Sequence, residues 1–394
     1  MLSNIIGIKT SSFFTCPTKL RSCWREGKSG LSGKGFSPII GLSPMDGITD
    51  EAFRLVQTKI APVDLMFTEF VSAEGISRGG IKLYDTLLFS PEERPIIGQL
   101  FGKDPDSFYK SAIILCELGF DGVDINMGCP AKTVTQHGSG ASLIAKPDLA
   151  IDIIQSVKKG INDWYSGKTK ITDLGLNKKT LDVINRNKKY SNIIVETPCI
   201  ASLHNHSRDV ARYVSTNKTK PTLSVKTRLG ITHSIADTWI PILLAQDLDL
   251  LTIHGRTLKQ AYAGLADWNE IEKVVKLAKN FKTKIFGNGD IKNRQQGIKY
   301  CQEYGVDGVL IGRAATGNPW CFSDHIASPK EKFSAMLLHA QLFQKVFPHR
   351  CFDSLRKHFL LYTSDFPNAK SIRMKLIRLK SVKELLSLEE QFLS

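Results

Sequence analysis

Residues 121–132 read DGVDINMGCPAK, and this stretch carries the most information about the fold. Its first part, up to Asn126, has the apolar character of a buried strand, and a glycine, a thiol, a proline and an amine follow at once. Side chains just beyond the carboxyl ends of strands line the mouth of an α/β barrel. An arbitrary intracellular cysteine is more often a buried structural residue, but its position after this strand makes Cys129 the first candidate for a catalytic residue.

Seven other segments share this form, in which an apolar run ends in polar or glycine-rich residues. Helical periodicity separates most of them, and eight strands alternating with helices predict a closed parallel (β/α)8 TIM barrel. The predicted strands span residues 38–45, 65–70, 95–101, 123–129, 223–228, 251–256, 284–288 and 308–313. The predicted helices include residues 50–60, 106–118, 148–159, 269–277 and 294–304.

Polar groups at the ends of these strands form the candidate site. They are Ser43-Pro44-Met45-Asp46, Gln99, Asn126 with Cys129, Lys226 with Arg228, His254 with Arg256, Asn288-Gly289-Asp290, and Gly312 with Arg313. The carboxyl ends of all barrel strands meet at one face. Seven such endings on one face favour an active site over a structural accident.

Length and composition agree with a barrel that carries additions. The chain has 394 residues, of which 42% are hydrophobic, whereas a barrel needs roughly 250 residues. No apolar run approaches the ~20 residues of a membrane span. The eight cysteines include no C-x-x-C pair and no Cys/His ligand spacing. We therefore expect a soluble protein with free thiols in a reducing compartment, without a membrane or a metal as partner.

The formal charge of +15 is unevenly distributed. Residues 1–36 carry +5, residues 157–222 carry +8 and residues 323–394 carry +5, so the barrel segments together are slightly acidic. Basic appendages on a near-neutral body suit an enzyme that holds a polyanion by its phosphates. A merely solvated, solubilising surface is the alternative explanation of such charge.

Three segments do not belong to the core of the barrel that we predict within residues 37–322. Residues 1–36 form a basic N-terminal arm without the long apolar core of a secretory signal. Three interpretations of this arm are open: a disordered basic arm of a cytoplasmic protein, a transit peptide of an organellar one, or sequence upstream of the true start. Residues 161–222 form a basic, partly helical insertion, because they far exceed an ordinary barrel connection. His204 and His206 lie within it, but no third metal ligand is near.

Residues 323–394 show helical periodicity and no strand signal, and we predict a separate helical domain. Within it, residues 370–383 read KSIRMKLIRLKSVK, with six basic residues and no acid. One face of such a helix can pack on its neighbours while the other stays positive. A basic amphipathic helix also suits a membrane surface, but its place in a helical domain favours nucleic acid.

Several motifs together resemble the tRNA-dihydrouridine synthases. They are SPMDGITDEAFR at 43–54, IGQLFG at 97–102, DINMGCPAK at 124–132, GSGASL at 138–143, VKTRLG at 225–230, IHGRT at 253–257, GNGDI at 287–291 and IGRAATGNPW at 311–320. The segment RKHFLLYTSDFPNAKSIR at 356–373 looks like the helical tRNA-binding domain of that family. The resemblance extends from about residue 37 to the end of the chain, apart from the insertion.

The resemblance implies an FMN enzyme, a monomer, that reduces the C5–C6 double bond of particular uridines in tRNA. NADPH or NADH reloads the flavin in this family. Hydride goes to C6 of uracil, and a general acid protonates C5 from the other face. Cys129 matches the family's proton donor, and a thiol with a pKa near 8.5 is largely protonated at neutral pH.

The resemblance also assigns roles to the other strand endings. Those matching flavin-ring contacts are Ser43, Pro44, Met45, Gln99, Lys226 and His254, and those matching the flavin phosphate site are Asn288, Gly289, Asp290, Gly312 and Arg313. Asn126 and Lys132 match positions that orient the uracil, and Arg256 is a further candidate for substrate contact at the mouth. Lys375, Arg378 and Lys380 are the candidates for tRNA contact in the helical domain.

Two departures and two alternatives accompany this interpretation. Asp46 stands where the family commonly has a small residue. The insertion of residues 161–222 has, as we interpret it, no counterpart in the family core, so we expect the insertion to have a peripheral role. The first alternative is an FMN barrel that acts on a free pyrimidine, like a dihydroorotate dehydrogenase. The second is an RNA-binding protein that keeps the barrel only as a scaffold.

Overall fold

A computed structural model describes residues 38–192, 219–364, 366 and 369–389. The predicted arm of residues 1–36 lies outside these ranges, as do His204 and His206. Within them, no group of three or more His, Cys, Asp and Glu side chains is arranged to hold a metal ion. No helix in the described ranges is long and apolar enough to cross a bilayer.

Eight parallel strands form one curled sheet, as the sequence predicts. They are β1 (Ile39–Leu42), β2 (Met66–Ser72), β3 (Ile96–Phe101), β4 (Gly122–Met127), β5 (Thr222–Arg228), β6 (Leu250–His254), β7 (Lys284–Asn288) and β8 (Gly308–Ile311). Their order is β1-β8-β7-β6-β5-β4-β3-β2. Between the first and last strands of this order, the Leu42 amide donates to the carbonyl of Leu65, and the Asp64 amide donates to that of Ile40. These bonds close the sheet into a barrel.

Thirteen α-helices lie in the described ranges, and short 3-10 turns join several of them. They are α1 (Glu51–Ile60), α2 (Ala73–Ser77), α3 (Pro105–Leu118), α4 (Lys132–Thr135), α5 (Pro147–Tyr165), α6 (Lys178–Tyr190), α7 (Ala236–Leu244), α8 (Trp268–Leu277), α9 (Arg294–Tyr304), α10 (Pro329–Val346), α11 (Arg356–Tyr362), α12 (Ala369–Leu376) and α13 (Val382–Leu386).

Local signals explain where several of these helices begin and end. Asp50 and Asp104 cap α1 and α3 by accepting backbone amides through their carboxylates. Gly119 ends α3 in the left-handed conformation, with φ of 91°, which glycine adopts without strain. The sequence did not reveal α7, because its internal Pro241 and nearly continuous apolar character hide the helical period.

The C-terminal helices share a core with the barrel's first helix. Ala52, Leu55 and Val56 of α1 are fully buried in one apolar cluster with Met336 and Phe343 of α10. At about 25 cal/mol per Å² of apolar surface, a contact of this kind contributes several kcal/mol. The helical region is therefore packed against the barrel rather than tethered to it.

The described part of the predicted insertion is helical and packs on the outside of the barrel. The helix α5 continues to Tyr165, and α6 lies against α3 and the turn of residues 81–87. Asn187 of α6 donates its Nδ2 amide to the carbonyl of Tyr84 over 2.9 Å. The helix α2 has only five residues, so α6 covers a flank that a short barrel helix leaves open.

The basic stretch of residues 370–383 is not one continuous helix. The helix α12 ends at Leu376, and α13 begins again at Val382. Ser381 caps α13, because its hydroxyl accepts the amide of Glu384 over 3.2 Å. The amphipathic pattern predicted helix but did not show that a serine within it would start a second one.

Candidate active site

Strand register brings the predicted site residues together at the carboxyl end of the barrel. Asn126 of β4 is paired with Lys226 of β5, and His254 of β6 is paired with Asn288 of β7. These four side chains are buried, with exposed fractions between 6% and 9%. The alternation of side chains along a strand determines which of them face inward.

The loop that carries Cys129 is held by hydrogen bonds from its surroundings. Oδ1 of Asn126 accepts the amides of both Gly128, at 3.0 Å, and Cys129, at 2.9 Å. Arg228 donates from Nε to the carbonyl of Gly128 over 2.6 Å. The Ala141 amide donates to the carbonyl of Cys129. The position of this thiol is therefore set by the barrel and not by a free loop.

Arg228 is a positioning residue that was not assigned a role from the sequence. It is 1% exposed, and its Nη1 donates to the carbonyls of Thr257 and Ala261. Burial lowers the pKa of its guanidinium to about 10, so the charge is retained at neutral pH. Its place in the motif VKTRLG was the available signal, two residues after Lys226.

A chain of buried side chains lies beneath the Cys129 loop. Ser224 donates to Asp124 over 2.5 Å, and Gln99 donates from Nε2 to Asp124 over 2.7 Å. Asn126 in turn donates from Nδ2 to Oε1 of Gln99 over 3.0 Å. Burial raises the pKa of the Asp124 carboxyl to about 6. Asp124 and Ser224 were also not assigned roles from the sequence, because a single chain does not show which inward polar residues meet.

The Cys129 thiol is half-buried and stays protonated at neutral pH. Burial has the largest effect and raises its pKa. The backbone hydrogen bond from Ala131 opposes this shift, the nearby charge of Asp46 adds to it, and Arg228 and Lys226 oppose it less. Asp46, which departs from the small residue common in the family, is itself exposed. The thiol is thus suited to give up a proton as a general acid and poorly suited to act as a thiolate nucleophile.

Lys226 presents a buried amine to the barrel mouth. Among the residues that the structure describes, its Nζ forms no hydrogen bond, although the side chain is only 9% exposed. Burial and, to a smaller extent, the neighbouring charge of Arg228 together lower its pKa to about 8, while Asp124 opposes this shift. A buried donor without an acceptor is costly, so this amine fits a bound group that supplies one.

The turn after β7 is narrow enough to require glycine. Gly289 has φ of 133°, and a Cβ at this position would lie 2.5 Å from Cβ of Ala266. Asn288 donates from Nδ2 to the carbonyl of Leu310. Gly312, after β8, lies against Ser43 and Met45, which follow β1. The ends of β1, β7 and β8 therefore form one continuous rim.

Two arginines share one carboxylate at this rim, and one of the two is exposed. Arg256 is 1% exposed and donates from Nη2 to both carboxylate oxygens of Asp290, at 2.9 and 2.7 Å. Arg313 also donates to Asp290, at 2.7 Å, but its side chain is 61% exposed. One acid between two guanidinium groups has a net charge of +1. The rim can therefore bind an anion through Arg313.

The structure places Arg256 differently from the mouth contact predicted for it. Its guanidinium also donates to the carbonyls of Ala263 and Gly264, so it is occupied by the protein itself. It lies 3.1 Å from Nε2 of His254, and burial together with the surrounding cations lowers the pKa of His254 far below its usual value. His254 is therefore a neutral imidazole at physiological pH.

The remaining candidates are not among the buried side chains of this centre. Lys132 is exposed at the start of α4. Lys375 and Arg378 line a cleft of about 560 Å³ in the C-terminal helical region, with Lys370, Ser371 and Met374. Lys380 does not line it, and its Nζ lies 3.0 Å from Oδ1 of Asp353. Of the three predicted tRNA contacts, Lys375 and Arg378 therefore line the cleft, and Lys380 does not.

Comparison with known proteins gives a consistent result. Residues 41–190 and 201–394 match the model of the family described as Dihydrouridine synthase (Dus). The matched range includes residues 161–190 and 201–222. The interpretation of residues 161–222 as an insertion without family counterpart is therefore wrong for all of the segment except residues 191–200. A protein of Staphylococcus aureus (strain COL) named "Probable tRNA-dihydrouridine synthase" is 31% identical over 367 residues, covering 90% of this chain and 93% of the relative. A "Probable tRNA-dihydrouridine synthase 2" of Bacillus subtilis (strain 168) is 31% identical over 366 residues, covering 90% and 94%.

A solved structure of a dihydroorotate dehydrogenase from Eimeria tenella is much less similar. It is 13% identical with a TM-score of 0.34, and the match covers 56% of this chain and 53% of that one.

Proposed function

We propose that this chain, which belongs to the dihydrouridine synthase family, reduces the C5–C6 double bond of uridines in tRNA with the help of FMN and of NADPH or NADH. The observation that carries the proposal is the meeting of three features at one barrel mouth. They are the protonated thiol of Cys129, the buried amine of Lys226 and the glycine-lined rim that ends at Arg313.

The residues at the mouth fit an isoalloxazine ring with a phosphate tail. Lys226 has a buried donor to offer to an electron-rich edge, and a cation there stabilises an anionic reduced ring. Neutral His254 and the turn of Ser43, Pro44 and Met45 would complete the ring contacts. Gln99 is fully buried and bound to Asp124 and Asn126, so it would act on the ring through these neighbours. Arg313, Gly312 and the turn of Asn288, Gly289 and Asp290 would hold the phosphate, where barrels commonly bind one.

FMN, when bound and reduced, would supply hydride to C6 of the uracil. Cys129 then donates its Sγ proton to C5, and the addition of hydride and proton gives the 5,6-dihydro base. Asn126 and Arg228 hold the thiol in position through the backbone of residues 128 and 129. Solvent returns the proton to the thiolate afterwards. Burial favours that return because it raises the pKa of Cys129.

The polyanionic substrate would be held outside the barrel. Lys375 and Arg378 present a basic cleft on the helical region, and Lys132 lies exposed close to Cys129. Phosphate contacts of this kind position a nucleic acid without reading its sequence. A free pyrimidine would need none of these cations, so the basic cleft favours the tRNA substrate over the dehydrogenase alternative.

One experiment separates the three candidate functions. The purified protein should be yellow from bound flavin, and tRNA should reoxidise its reduced flavin without oxygen and acquire dihydrouridine. Orotate and fumarate should have no such effect. A colourless protein that binds tRNA would identify a scaffold, whereas reoxidation by orotate or fumarate but not by tRNA would identify a dehydrogenase.

A further inference from the structure

A second cleft opens beside the Cys129 loop and is built from four different loops of the barrel mouth. Its volume is about 510 Å³, and its lining residues are Lys103, Thr135, Gln136, His137, Gly138, Ser142, Ala145, Lys146, Ile231 and Leu258. None of the described side chains that line it is acidic. Ser142 belongs to the same turn as Ala141, whose amide donates to the carbonyl of Cys129. The cleft is therefore directly connected to the catalytic loop.

Two lysines converge on one glycine in this cleft. A Cβ at Gly138 would lie 3.4 Å from Nζ of Lys146 and 3.8 Å from Cδ of Lys103. Gly138 has φ of 81°, so a side chain would be strained there in any case. Neither lysine forms an ion pair with a residue in the described ranges. Both lysine side chains approach this glycine without a counter-charge from the described residues, and a bound anion would supply one.

Two apolar residues from neighbouring loops also line the cleft. Ile231 follows β5 and Leu258 follows β6, and the Leu258 amide donates to the carbonyl of Gly230 over 2.9 Å. The bond joins the two loops into one wall. A cleft lined by apolar residues together with two lysines and His137 suits a ligand that carries both a flat ring or ribose and phosphate groups.

We propose that this basic cleft binds the phosphate groups of the pyridine dinucleotide reductant. The inference rests on the proposed function, which requires the nicotinamide to reach the same mouth as the uracil. Sites for small ligands are concave, with volumes of about 300 to 1,000 Å³, and this cleft falls in that range. The basic cleft of the C-terminal helical region has a similar volume, so the position of the present cleft beside the Cys129 loop, and not its size, assigns it to the dinucleotide.

The test uses the flavin-loaded protein and NADP⁺, which binds without turnover. The double variant K103Q/K146Q should raise the Kd for NADP⁺, measured by calorimetry, by roughly tenfold or more, because it removes charge-assisted hydrogen bonds to phosphate. The variant K103R/K146R keeps both charges and should restore binding. The matched control K279Q/K282Q removes two exposed lysines just before β7, at the opposite end of the barrel, and should bind NADP⁺ normally.

Parallel titrations with NAD⁺ and with tRNA decide the assignment. Equal weakening for NADP⁺ and NAD⁺ places the pyrophosphate in the cleft, and weakening for NADP⁺ alone places the 2′-phosphate there. Loss of tRNA affinity with unchanged NADP⁺ affinity would overturn the proposal in favour of an RNA contact. Unchanged affinity for both ligands would show that the lysines are only solvated.

Failure of this inference is distinguishable from failure of the proposed function. If the wild-type protein forms dihydrouridine but K103Q/K146Q binds NADP⁺ normally, only the assignment of the cleft is wrong. If the wild-type protein forms no dihydrouridine but the variant loses NADP⁺, the proposed function is wrong and the dinucleotide site remains.

Discussion

Gln99 donates from Nε2 to Oδ2 of Asp124 across 2.7 Å, and both side chains are completely buried. An ionised carboxylate only accepts hydrogen bonds, so it determines which end of the Gln99 amide faces it. Oε1 of Gln99 then faces Asn126, and Oδ1 of Asn126 is left to accept the amides of Gly128 and Cys129. The charge of Asp124 thus orients, through two amides, the loop that holds the thiol.

Replacing Asp124 by Asn tests this relationship. The variant keeps the shape but offers a donor, so Gln99 can turn over and release the loop. We expect the rate of flavin reoxidation by tRNA to fall about tenfold, on the scale of one misplaced hydrogen bond, while flavin content is kept. Wild-type activity should also decline as the pH falls through the Asp124 pKa of about 6, and D124N should lack that decline.

The control for this prediction is Ser224→Ala. It removes the other hydrogen bond to Asp124 but leaves Gln99 its acceptor. We expect a smaller loss of rate for S224A than for D124N. Equal rates for D124N and the wild-type protein would show that the loop is held without the carboxylate.

Cys129→Ala should separate the two halves of the reaction. Flavin binding and NADPH oxidation need no acid and should survive, while dihydrouridine formation should fall by roughly 100-fold or more if a general acid is lost. Mass spectrometry of tRNA nucleosides measures the product. The exposed Cys351 provides a matched control, because C351A should have normal activity. Near-normal tRNA reduction by C129A would remove this thiol from the mechanism.

Arg313→Ala should yield protein with little or no flavin. The variant leaves Asp290 paired with Arg256 alone, so the net charge of the rim falls from +1 to zero. Without the charge-assisted hydrogen bond to phosphate, FMN should bind more weakly by roughly tenfold or more. Flavin content after gel filtration is the measurement. Lys299→Gln, on the exposed surface of α9, should keep its flavin, and full occupancy in R313A would contradict the phosphate assignment.

Lys375 and Arg378 should contribute to tRNA binding more than Lys380 does. The first two line the cleft of the helical region, whereas Lys380 pairs with Asp353. The double variant K375Q/R378Q should weaken tRNA binding and reduce its salt dependence. The slope of log affinity against log salt concentration should become shallower by about 1 for each phosphate that is no longer neutralised. K380Q should change both quantities less, and flavin content should stay normal throughout. Identical salt dependence in the double variant would move the RNA surface elsewhere.

Acid should weaken the packing between α1 and the C-terminal helices. His339 and His358 are buried there, with ring centroids 4.6 Å apart, beside Phe53, Tyr362 and the charge of Lys357. Burial lowers the pKa of His339 to about 3 and that of His358 well below its usual value. Both are neutral in the folded protein, whereas the unfolded chain takes up protons below pH ~6.5. Stability is therefore complete above that pH and is lost as the pH falls toward 3.

Urea titrations at several pH values test this expectation. Each histidine should contribute a slope of up to about 1.4 kcal/mol per pH unit below pH ~6. The variant H339Q cannot titrate, so the free energy of unfolding should depend less steeply on pH by that amount. An unchanged slope in H339Q would show that this imidazole is protonated in the folded state as well.

The strands and the site at their ends could be predicted because the signals are local. An apolar run ending in Asn126 and Cys129, or in Lys226, combines strand character with chemistry in a few residues. The engagement of Arg256 by Asp290 was not predictable in this way, since an arginine after a strand looks the same whether it faces solvent or a carboxylate 34 residues away. The role of Asp124 was hidden for the same reason.

The additions to the barrel were harder to place than the barrel itself. Charge and length marked residues 161–222 as unusual, but the location of α6 beside α3 depends on the packing of Asn187 against Tyr84, which no local pattern shows. The division of the basic stretch at Ser381 depends on a single cap competing with a continuous helical period.

The apolar cluster that α1 shares with α10 has a geometrical consequence. Ala52, Leu55 and Val56 belong at once to a barrel helix and to the core of the C-terminal helices, so these helices cannot swing on a hinge without exposing that surface to water. An RNA gripped by them would meet the barrel at a single angle. Under the proposed function, the packing of α1 would then determine which uridine reaches the site. Substitutions in this packing, far from the flavin, could change that choice.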